Sequence, residues 1–395
     1  MWGTGLTEGI EWAFWMAAIV WWVVELDLSP IELVLMGTVL EACVLLFETP
    51  TGVVADLQSR RRSLVIAQVI MAIAFVWAVA SHNFWVILPA QALFGIGWTF
   101  RSGADVAWVT DELKGRGLAA EDEIDLILLE RHKVGIASGV VFVALAALFG
   151  TLVGVRWVIV GCGLLYLLVG VCIARVFPED YFVPGSERGE GFFDILRTGF
   201  RVMRTRPRLR VLIGVVLFLN FGAEAFDRLG PAHFLREIGF GEDSLLALAA
   251  LFIAVAIASL AVNWWSTRQL LAGKGVARLA GALLFFTVVG ATFVLLNVGV
   301  AIALGFMLQD SMRESLYPVL DGWANRDAPS EVRATIHSLV GQMTAIGELI
   351  GGLALGALAQ LVSIRASLAG AALMFLVAGL LTVRGRVEVP ETSNV

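Results

Sequence analysis

Long apolar runs dominate this sequence of 395 residues and limit what it can fold into. A helix needs about 20 apolar residues to cross the ~30 Å hydrocarbon core of a bilayer, because unpaired backbone groups are costly there. Runs near that length recur along the whole chain, so we predict an all-α membrane protein with twelve transmembrane helices. The runs cover residues 5–26, 31–55, 63–81, 84–110, 134–155, 157–177, 210–236, 244–266, 277–297, 299–320, 335–361 and 365–384.

The composition supports this prediction and excludes most other classes of protein. Hydrophobic residues make up 58% of the chain and charged residues 16%, whereas soluble domains are far more polar. Each of the three cysteines lies within an apolar run, which argues against a disulfide framework. The first Lys or Arg is Arg60, so we expect no signal peptide ahead of the first run.

Lys and Arg are concentrated in alternate connections between the runs, and this asymmetry predicts the orientation of the chain. If the N-terminus is cytoplasmic, the outer connections contain only Arg156, Arg236 and Arg365. We therefore expect a multi-pass protein of the cell (inner) membrane with both termini in the cytoplasm. The net charge of -6 then says little about binding partners.

Weak internal similarity divides the chain into two halves. A shift of 212 or 213 residues aligns Arg101 with Arg313 and Glu11 with Glu224. Each match alone is weak, but their order and near-constant shift favour two parallel halves. We predict two pseudo-symmetric six-helix bundles at 1–177 and 210–385, joined by a cytoplasmic linker at 178–209 and followed by a tail at 386–395.

The predicted linker contains an amphipathic pattern. Phe192, Leu196, Phe200 and Met203 recur at helical spacing, opposite a basic face. This pattern predicts a helix that lies on the inner membrane surface. A solvated helix packed on the protein fits the same pattern.

The connection between the second and third runs carries a motif, Gly52-Val53-Val54-Ala55-Asp56-Leu57-Gln58-Ser59-Arg60-Arg61-Arg62. It resembles the loop signature of the major facilitator superfamily, Gly-x-x-x-Asp-(Arg/Lys)-x-Gly-(Arg/Lys)-(Arg/Lys), with Leu57 and Ser59 as departures. The resemblance in topology covers essentially the whole chain. It implies the fold of that family and secondary transport by alternating access, in which a central cavity opens to one side of the membrane at a time.

The resemblance also implies a cytoplasmic gate. In the family this loop latches the two halves, and its Asp faces a helix N-terminus of the other half; here those would be Asp56 and the eleventh helix, near Ser330. A small glycine lets helices approach closely, and arginines stay at the anionic inner surface. The alternative is that the arginines are only a topology signal. The predicted gate residues are Gly52, Asp56, Arg60, Arg61, Arg62, Glu48 and Asp105.

Two further segments resemble one branch of the superfamily. Residues 48–52 (Glu-Thr-Pro-Thr-Gly) and 102–108 (Ser-Gly-Ala-Asp-Val-Ala-Trp) are similar to the branch that contains macrolide and tetracycline exporters. This similarity favours drug export. Two features of drug antiporters are missing, since Gln91 stands where they usually have a fourth-helix Arg and the fifth helix lacks their Gly-Pro motif.

Ionisable residues within the runs are functional candidates, because a charge at bilayer depth is costly unless it is paired or hydrated. Carboxylates outnumber arginines among them. The carboxylates are Glu11, Glu41, Glu48, Asp105, Glu224, Asp227, Asp310, Glu314 and Glu348, and the arginines are Arg101, Arg228 and Arg313. Neighbours three or four residues apart, such as Arg101 and Asp105 or Asp310 and Arg313, are expected to form ion pairs.

Carboxylates without a nearby Arg are the better candidates for reversible protonation. Glu41 and Glu348 lie near the middle of their runs with no Arg within a helical turn, and Glu11 and Glu224 come next. Trp12 and Trp15 flank Glu11 and are candidates to contact an apolar or cationic ligand. The predicted residues for proton coupling or the substrate cavity are Glu11, Glu41, Glu224, Asp227, Glu348, Arg101, Arg313, Trp12 and Trp15. A structural role is the alternative for each.

Other functional classes lack their motifs in this sequence. It has no P-loop, no paired His and Cys metal site, no nucleophile elbow and no Rossmann glycine loop, so we expect no enzyme activity, metal or cofactor. We predict proton-coupled export of a hydrophobic or cationic small molecule, with uptake of a small metabolite as the alternative. The expected partners are substrate, protons and lipid, with no nucleic acid, and we expect a monomer.

Overall fold

The computed structural model describes residues 2–118, 121–182, 197, 206–296, 298–327 and 333–387. Their regular structure is helical, and twelve long helices correspond to the twelve apolar runs, although the fifth helix begins at Glu121, 13 residues before its run. The helices are α1 Trp2–Val20, α2 Pro30–Leu57, α3 Arg60–Trp77, α4 Phe84–Gly115, α5 Glu121–Val153, α6 Val155–Val176, α7 Pro207–Ile238, α8 Ser244–Leu271, α9 Val276–Val294, α10 Gly299–Asp327, α11 Arg333–Leu361 and α12 Ile364–Val387. The prediction of an all-α membrane protein is confirmed.

Within the described residues, eight helices are long and apolar enough to cross a membrane by length and composition. The other four helices are α1, α3, α4 and α10. Three of these four contain a buried ionisable residue, Glu11 in α1, Arg101 in α4 and Arg313 in α10. α7, one of the eight, also contains a buried ionisable residue, Glu224, so buried charge is not confined to the other four helices.

Local sequence explains where several helices begin and end. The Ser59 hydroxyl caps α3 by accepting a hydrogen bond from the Arg62 amide at 3.0 Å. The Asn83 side chain caps α4 in the same way, through the Trp85 amide at 2.9 Å. At the end of α7, Gly239 adopts the left-handed conformation with φ 72°, which suits a residue without a side chain.

A single π-helical turn at Trp21–Glu25 extends α1. The Leu26 amide donates to the Trp21 carbonyl at 2.9 Å, which closes the wider turn. Asp27 follows with φ 47°, a conformation that is uncommon for a residue other than glycine. Such turns are rare and concentrate at functional sites. The two buried tryptophans within this turn, Trp21 and Trp22, are therefore further candidates for a functional role.

The chain divides into two compact units. Unit 1 comprises Met1–Leu28, Val39–Gly189 and Phe240–Ile253, and unit 2 comprises Ser29–Thr38, Glu190–Gly239 and Ala254–Val395. In unit 1, α1 packs against α5 and α6, and α3 packs against α4 and α6. In unit 2, α7 packs against α11 and α12, and α9 packs against α10 and α12.

Aromatic side chains occupy corresponding places in the two units. In unit 1, Phe14 stacks on Phe75 with ring centroids 3.8 Å apart, and Phe94 lies 5.9 Å from Phe14. In unit 2, Phe226 stacks on Phe375 at 5.5 Å. The shift of 212 residues that relates Arg101 to Arg313 also relates Phe14 to Phe226, so the internal similarity extends to the packed core.

The predicted linker helix and tail fall largely outside the described residues. α6 ends at Val176 and α7 begins at Pro207. Most of the amphipathic pattern, and residues 388–395 of the tail, are not described. The bundle, linker and tail boundaries therefore stay predictions.

Candidate functional site

A buried ion pair lies in unit 1 between α1 and α4. The Arg101 guanidinium binds both carboxylate oxygens of Glu11, with each nitrogen–oxygen distance 2.8 Å. Glu11 is 6% exposed and Arg101 is 8% exposed. Arg101 also donates to the Tyr166 hydroxyl of α6 at 3.0 Å, and that hydroxyl donates to the Thr7 carbonyl. Three helices thus meet at this guanidinium.

The surroundings of Arg101 satisfy its charge. A two-point contact between arginine and carboxylate is among the strongest polar contacts in proteins. The guanidinium also lies 4.5 Å from the centroid of the Trp98 ring, one turn earlier on α4. Asp105, one turn later on α4, is buried as well. Because Glu11 and Arg101 neutralise each other in a nearly dry setting, the pair suits a structural or positioning role.

A second cluster lies in unit 2 and has a different charge balance. The Arg313 guanidinium of α10 contacts Asp227 of α7 at 2.5 Å and Asp310 of its own helix at 2.5 Å. It also lies 3.3 Å from the Glu314 carboxylate. Three carboxylates therefore share one arginine, and the pairing of Asp310 with Arg313 agrees with the spacing in the sequence.

Burial within this second cluster is uneven. The Arg313 side chain is only 5% exposed, whereas those of Asp227 and Glu314 are 39% and 49% exposed. The buried arginine thus holds acids whose outer atoms are accessible. Spacing in the sequence predicts only the pairs along α10, whereas the contact of Asp227 with Arg313, 86 residues apart, depends on the packing of α7 against α10.

A chain of hydrogen bonds runs from this cluster to neighbouring helices. Arg313 donates to the Tyr317 hydroxyl at 3.4 Å, and Tyr317 donates to the Asn220 side-chain oxygen at 3.0 Å. The Asn220 amide then donates to the Thr344 hydroxyl of α11 at 3.4 Å. Neither Tyr317 nor Asn220 was singled out from the sequence, because neither is charged at neutral pH. Together they connect the charged cluster to α7 and α11.

A third ion pair joins Glu224 and Arg228, one turn apart on α7, at 3.0 Å. Its carboxylate lies beside two glycines that belong to the same unit. A β-carbon added at Gly37 of α2 would lie 1.9 Å from a Glu224 oxygen, and one at Gly352 of α11 would lie 3.2 Å from its side chain. The pair therefore fills a tight crossing of α2, α7 and α11.

Comparison with known proteins identifies the architecture. A sequence profile of the Major Facilitator Superfamily matches residues 1–347. The chain belongs to this superfamily. The resemblance inferred from the Gly52–Arg62 motif is thereby confirmed at the level of the superfamily, whereas the exporter branch stays a prediction.

Several known major facilitator proteins are similar along most of this chain. The uncharacterized MFS-type transporter YxaM of Bacillus subtilis (strain 168) is 23% identical over 372 residues, which cover 89% of this chain and 86% of that protein. Among solved structures, a variant of the nucleoside transporter NupG superimposes with a TM-score of 0.80 at 12% identity, covering 97% of this chain and 98% of that one. A bacterial homolog of the human lysosomal transporter Spinster superimposes with a TM-score of 0.72 at 14% identity, covering 96% of this chain and 95% of that one.

Membership in the superfamily fixes the broad function. The protein is a multi-pass membrane transporter of a small molecule and not an enzyme. The structural likenesses are too distant in sequence to carry more than the fold. The two buried charge clusters of this major facilitator protein are therefore interpreted from their own geometry.

The signature loop of this transporter is held by residues that the motif does not include. The Glu179 carboxylate, just after α6, accepts hydrogen bonds from the Ser59 hydroxyl at 2.6 Å and the Arg61 amide at 2.8 Å. Ser59 is extended, with φ -177°, and no left-handed turn is needed at the position where the family usually has glycine. At this position the chain therefore has no glycine turn. Ser59 and Glu179 instead cap the N-terminus of α3.

Two of the three arginines of the loop contact residues outside the loop. Arg60 binds Asp111 and donates to the Ala107 carbonyl of α4 at 2.8 Å. Arg61 donates to the Phe177 carbonyl at 3.0 Å. A topology signal needs only positive charge on the cytoplasmic side. These arginines also bind specific groups, which hold the loop against α4 and the end of α6. The motif alone does not predict these contacts, since the partners lie 47 to 116 residues away.

Two parts of the predicted gate need correction or stay open. Among the described residues nothing lies within 4 Å of a β-carbon added at Gly52, so the expectation that Gly52 permits close helix packing is wrong. Asp56 is largely exposed, and its carboxylate oxygen lies 3.9 Å from a guanidinium nitrogen of Arg60 in the same loop. Residues 328–332, before α11, are outside the described part of the chain, so the latch to α11 stays a prediction. Glu48 accepts a hydrogen bond from Ser102 of α4 at 3.1 Å.

Replacing Ser59 with alanine tests the role of the loop. The α3 cap and the bond to Glu179 would both be lost, so we expect the free energy of unfolding to fall by about 1 kcal/mol. Ser59→Thr keeps a hydroxyl, so its free energy of unfolding should fall much less. Unfolding titrations with SDS in mixed micelles measure the difference, and equal losses in both variants would contradict the capping role.

The remaining predicted residues are placed as follows. Glu41 and Glu348 are half-buried, and each makes an interaction, so the lack of an Arg nearby in sequence does not isolate them. Trp12 lies against α5, where a β-carbon added at Gly139 would meet its ring at 2.8 Å. Trp15 packs edge-on against Phe94 of α4, with ring centroids 5.1 Å apart.

Proposed function

We propose that this protein is a proton-coupled exporter of a hydrophobic or cationic small molecule that works by alternating access in the cell membrane. The charge balance of the unit 2 cluster supports this proposal. Three carboxylates, Asp227, Asp310 and Glu314, share the charge of Arg313. Like charges held this close repel one another, and a proton bound by one of them relieves the repulsion.

The cluster can exchange a proton for a cation by simple charge compensation. When the acids bind a proton, their attraction for a cationic substrate weakens and the substrate leaves. When the proton leaves, the negative charge favours a new cation. Glu41 and Glu348 remain candidates for the same role, but the cluster ranks above them because its excess of acid is visible in the contacts.

The position of basic residues supports an orientation with both termini in the cytoplasm. Arg60 and Arg61 lie at the start of α3, and Arg268 lies in the last turn of α8. Under this orientation the loop from Gly52 to Arg62 faces the cytoplasm and acts as the gate. Export also agrees with the similarity of residues 48–52 and 102–108 to macrolide and tetracycline exporters.

Transport by purified protein in liposomes tests the proposal. Ethidium serves as an apolar cationic probe, and its flux is measured with and without a pH gradient. We expect the gradient to drive ethidium in the wild type, and Asp227→Asn to bring the ratio of the two fluxes down to about one. The same series includes Glu314→Gln, Glu41→Gln and Glu348→Gln, with Glu25→Gln, in the π-helical turn that ends α1, as the control.

The outcomes separate the possibilities clearly. If Asp227→Asn and Glu314→Gln keep the response to the gradient, the cluster does not couple protons. If only Glu41→Gln or Glu348→Gln abolish it, coupling lies there instead. In cells, lower susceptibility to ethidium on expression indicates export, whereas higher susceptibility indicates uptake and would overturn the proposed direction.

A further inference from the structure

A short turn without acidic residues joins α8 to α9 in unit 2. α8 ends at Leu271 and α9 begins at Val276, and both helices are among those long and apolar enough to cross a membrane. Gly273 adopts the left-handed conformation with φ 74°, which ends α8 and lets the chain reverse within four residues. Because the two helices follow each other so directly, the α8–α9 turn lies at one surface of the bilayer.

The charged residues of the α8–α9 turn are all basic. From Ser244 to Gln309 the chain contains no Asp or Glu, and its Lys and Arg residues over that length are Arg268, Lys274 and Arg278. All three are exposed at the turn. Among the described residues, neither Arg268 nor Lys274 forms an ion pair. The turn therefore presents positive charge that the protein itself does not neutralise.

The corresponding loop of unit 1 has a different arrangement. The shift of 212 residues that relates the two halves aligns Asp56 with Arg268. In unit 1, Arg60 binds Asp111 of α4 and lies 3.9 Å from the Asp56 carboxylate. Basic groups of the signature loop are thus directed to acids of the protein, whereas at the α8–α9 turn an arginine takes the place of the acid. A partner for this turn has to come from outside the protein.

Arg268 is held by an exposed aromatic ring. Its guanidinium carbon lies 3.7 Å from the centroid of the Trp264 ring, one turn earlier on α8. Trp264 is 59% exposed, and Leu271 at the end of the helix is 83% exposed. The ring covers a face of the guanidinium, whereas the N–H groups point outward in its plane. An arginine oriented in this way offers two parallel donors to a phosphate group.

We propose that the α8–α9 turn binds the headgroup of an anionic phospholipid. Arg268 donates to the phosphate oxygens, and Lys274 adds a second positive charge on the same turn. Trp264 and Leu271 contact the glycerol and the first acyl carbons, since both are apolar and exposed beside the basic groups. The turn prefers phosphatidylglycerol to phosphatidylcholine, because the choline ammonium is repelled by the two basic side chains.

The ends of other helices provide a comparison for this arrangement. Basic residues in the last turn of a helix offset its dipole, and Arg175 of α6 and Arg326 of α10 are exposed residues of this kind. Among the described residues, neither has an aromatic ring stacked on its guanidinium, whereas Arg268 does. If positive charge alone attracted lipid, these two arginines would matter as much as Arg268 and Lys274.

Native mass spectrometry of the purified full-length protein tests the inference. The method resolves protein with no lipid from protein with one, so it gives the dissociation constant of the first phosphatidylglycerol or phosphatidylcholine bound. We expect the wild type to bind phosphatidylglycerol about tenfold more tightly than phosphatidylcholine. Glycerol 3-phosphate has a phosphate but no acyl chains, and we expect a large excess of it to leave the lipid bound.

Matched variants assign the preference to the turn. Arg268→Gln combined with Lys274→Gln should weaken phosphatidylglycerol binding about tenfold and leave phosphatidylcholine binding nearly unchanged. Arg175→Gln combined with Arg326→Gln removes the same amount of charge from two other helix ends and should change neither. Trp264→Leu keeps an apolar side chain but removes the stacked ring, so it should weaken phosphatidylglycerol binding about threefold.

Four results would overturn the inference. The wild type would bind the two lipids equally, the Arg268 and Lys274 double variant would bind as tightly as the wild type, both double variants would lose the same affinity, or glycerol 3-phosphate would displace the lipid. The comparison of lipids on the wild type needs no variant, so a variant that fails to fold does not protect the idea. Lipid binding is measured without substrate or a pH gradient, so this test is separate from that of the proposed transport.

Discussion

Replacing Arg101 with methionine is expected to lower the free energy of unfolding by about 3–5 kcal/mol. The change leaves Glu11 buried at 6% exposure without the guanidinium that binds both its oxygens. The Tyr166 hydroxyl also loses its donor. An uncompensated charge at this depth is far more costly than a lost surface contact, so the effect should exceed that of any surface substitution.

SDS titration in mixed micelles measures this loss, and two further variants control it. Arg268→Met removes an exposed arginine that lies over the Trp264 ring at 3.7 Å, and it should cost less than about 1 kcal/mol. Glu11→Leu combined with Arg101→Met removes both charges and should recover part of the stability. If Arg101→Met costs no more than Arg268→Met, the pair does not hold unit 1 together.

The partners of the buried arginines show what the sequence predicts and what it does not. A spacing of three or four residues predicts pairs within one helix, and Asp310 with Arg313 is such a pair. The pairing of Glu11 with Arg101 spans 90 residues and depends on how α1 faces α4. Helix positions follow from the apolar runs because each helix must cross the membrane alone. Contacts between helices depend on their rotation, which the runs do not specify.

A similar limit applies to the signature loop and to Glu41 and Glu348. The motif located the loop correctly, but Glu179, which caps its helix, lies 120 residues from Ser59. Glu41 and Glu348 look isolated in sequence and make interactions in space. In contrast, the internal repeat relates core residues of the two units as well as charged ones. Its shift also aligns Phe94 with Phe306, both of which are buried aromatic residues.

Replacing Gly351 with alanine is expected to cost about 3 kcal/mol, the upper part of the range for overpacking. A β-carbon at this position would lie 2.1 Å from the Phe221 carbonyl oxygen and 2.7 Å from its α-carbon. Both are backbone atoms of α7, which cannot rotate away as a side chain can. The substitution therefore forces α11 away from α7 along the crossing, where close approach depends on small residues.

The glycine at position 341 of the same helix provides the matched control. Nothing among the described residues lies within 4 Å of a β-carbon added there, so Gly341→Ala should change the free energy of unfolding by less than about 0.5 kcal/mol. The two variants are compared by SDS titration and by ethidium flux. Because the Asn220 amide reaches Thr344 across this crossing, a shift of α11 also lengthens the hydrogen-bond chain from Arg313. Gly351→Ala should therefore lower transport together with stability, and a stable but inactive Gly341→Ala would contradict this link.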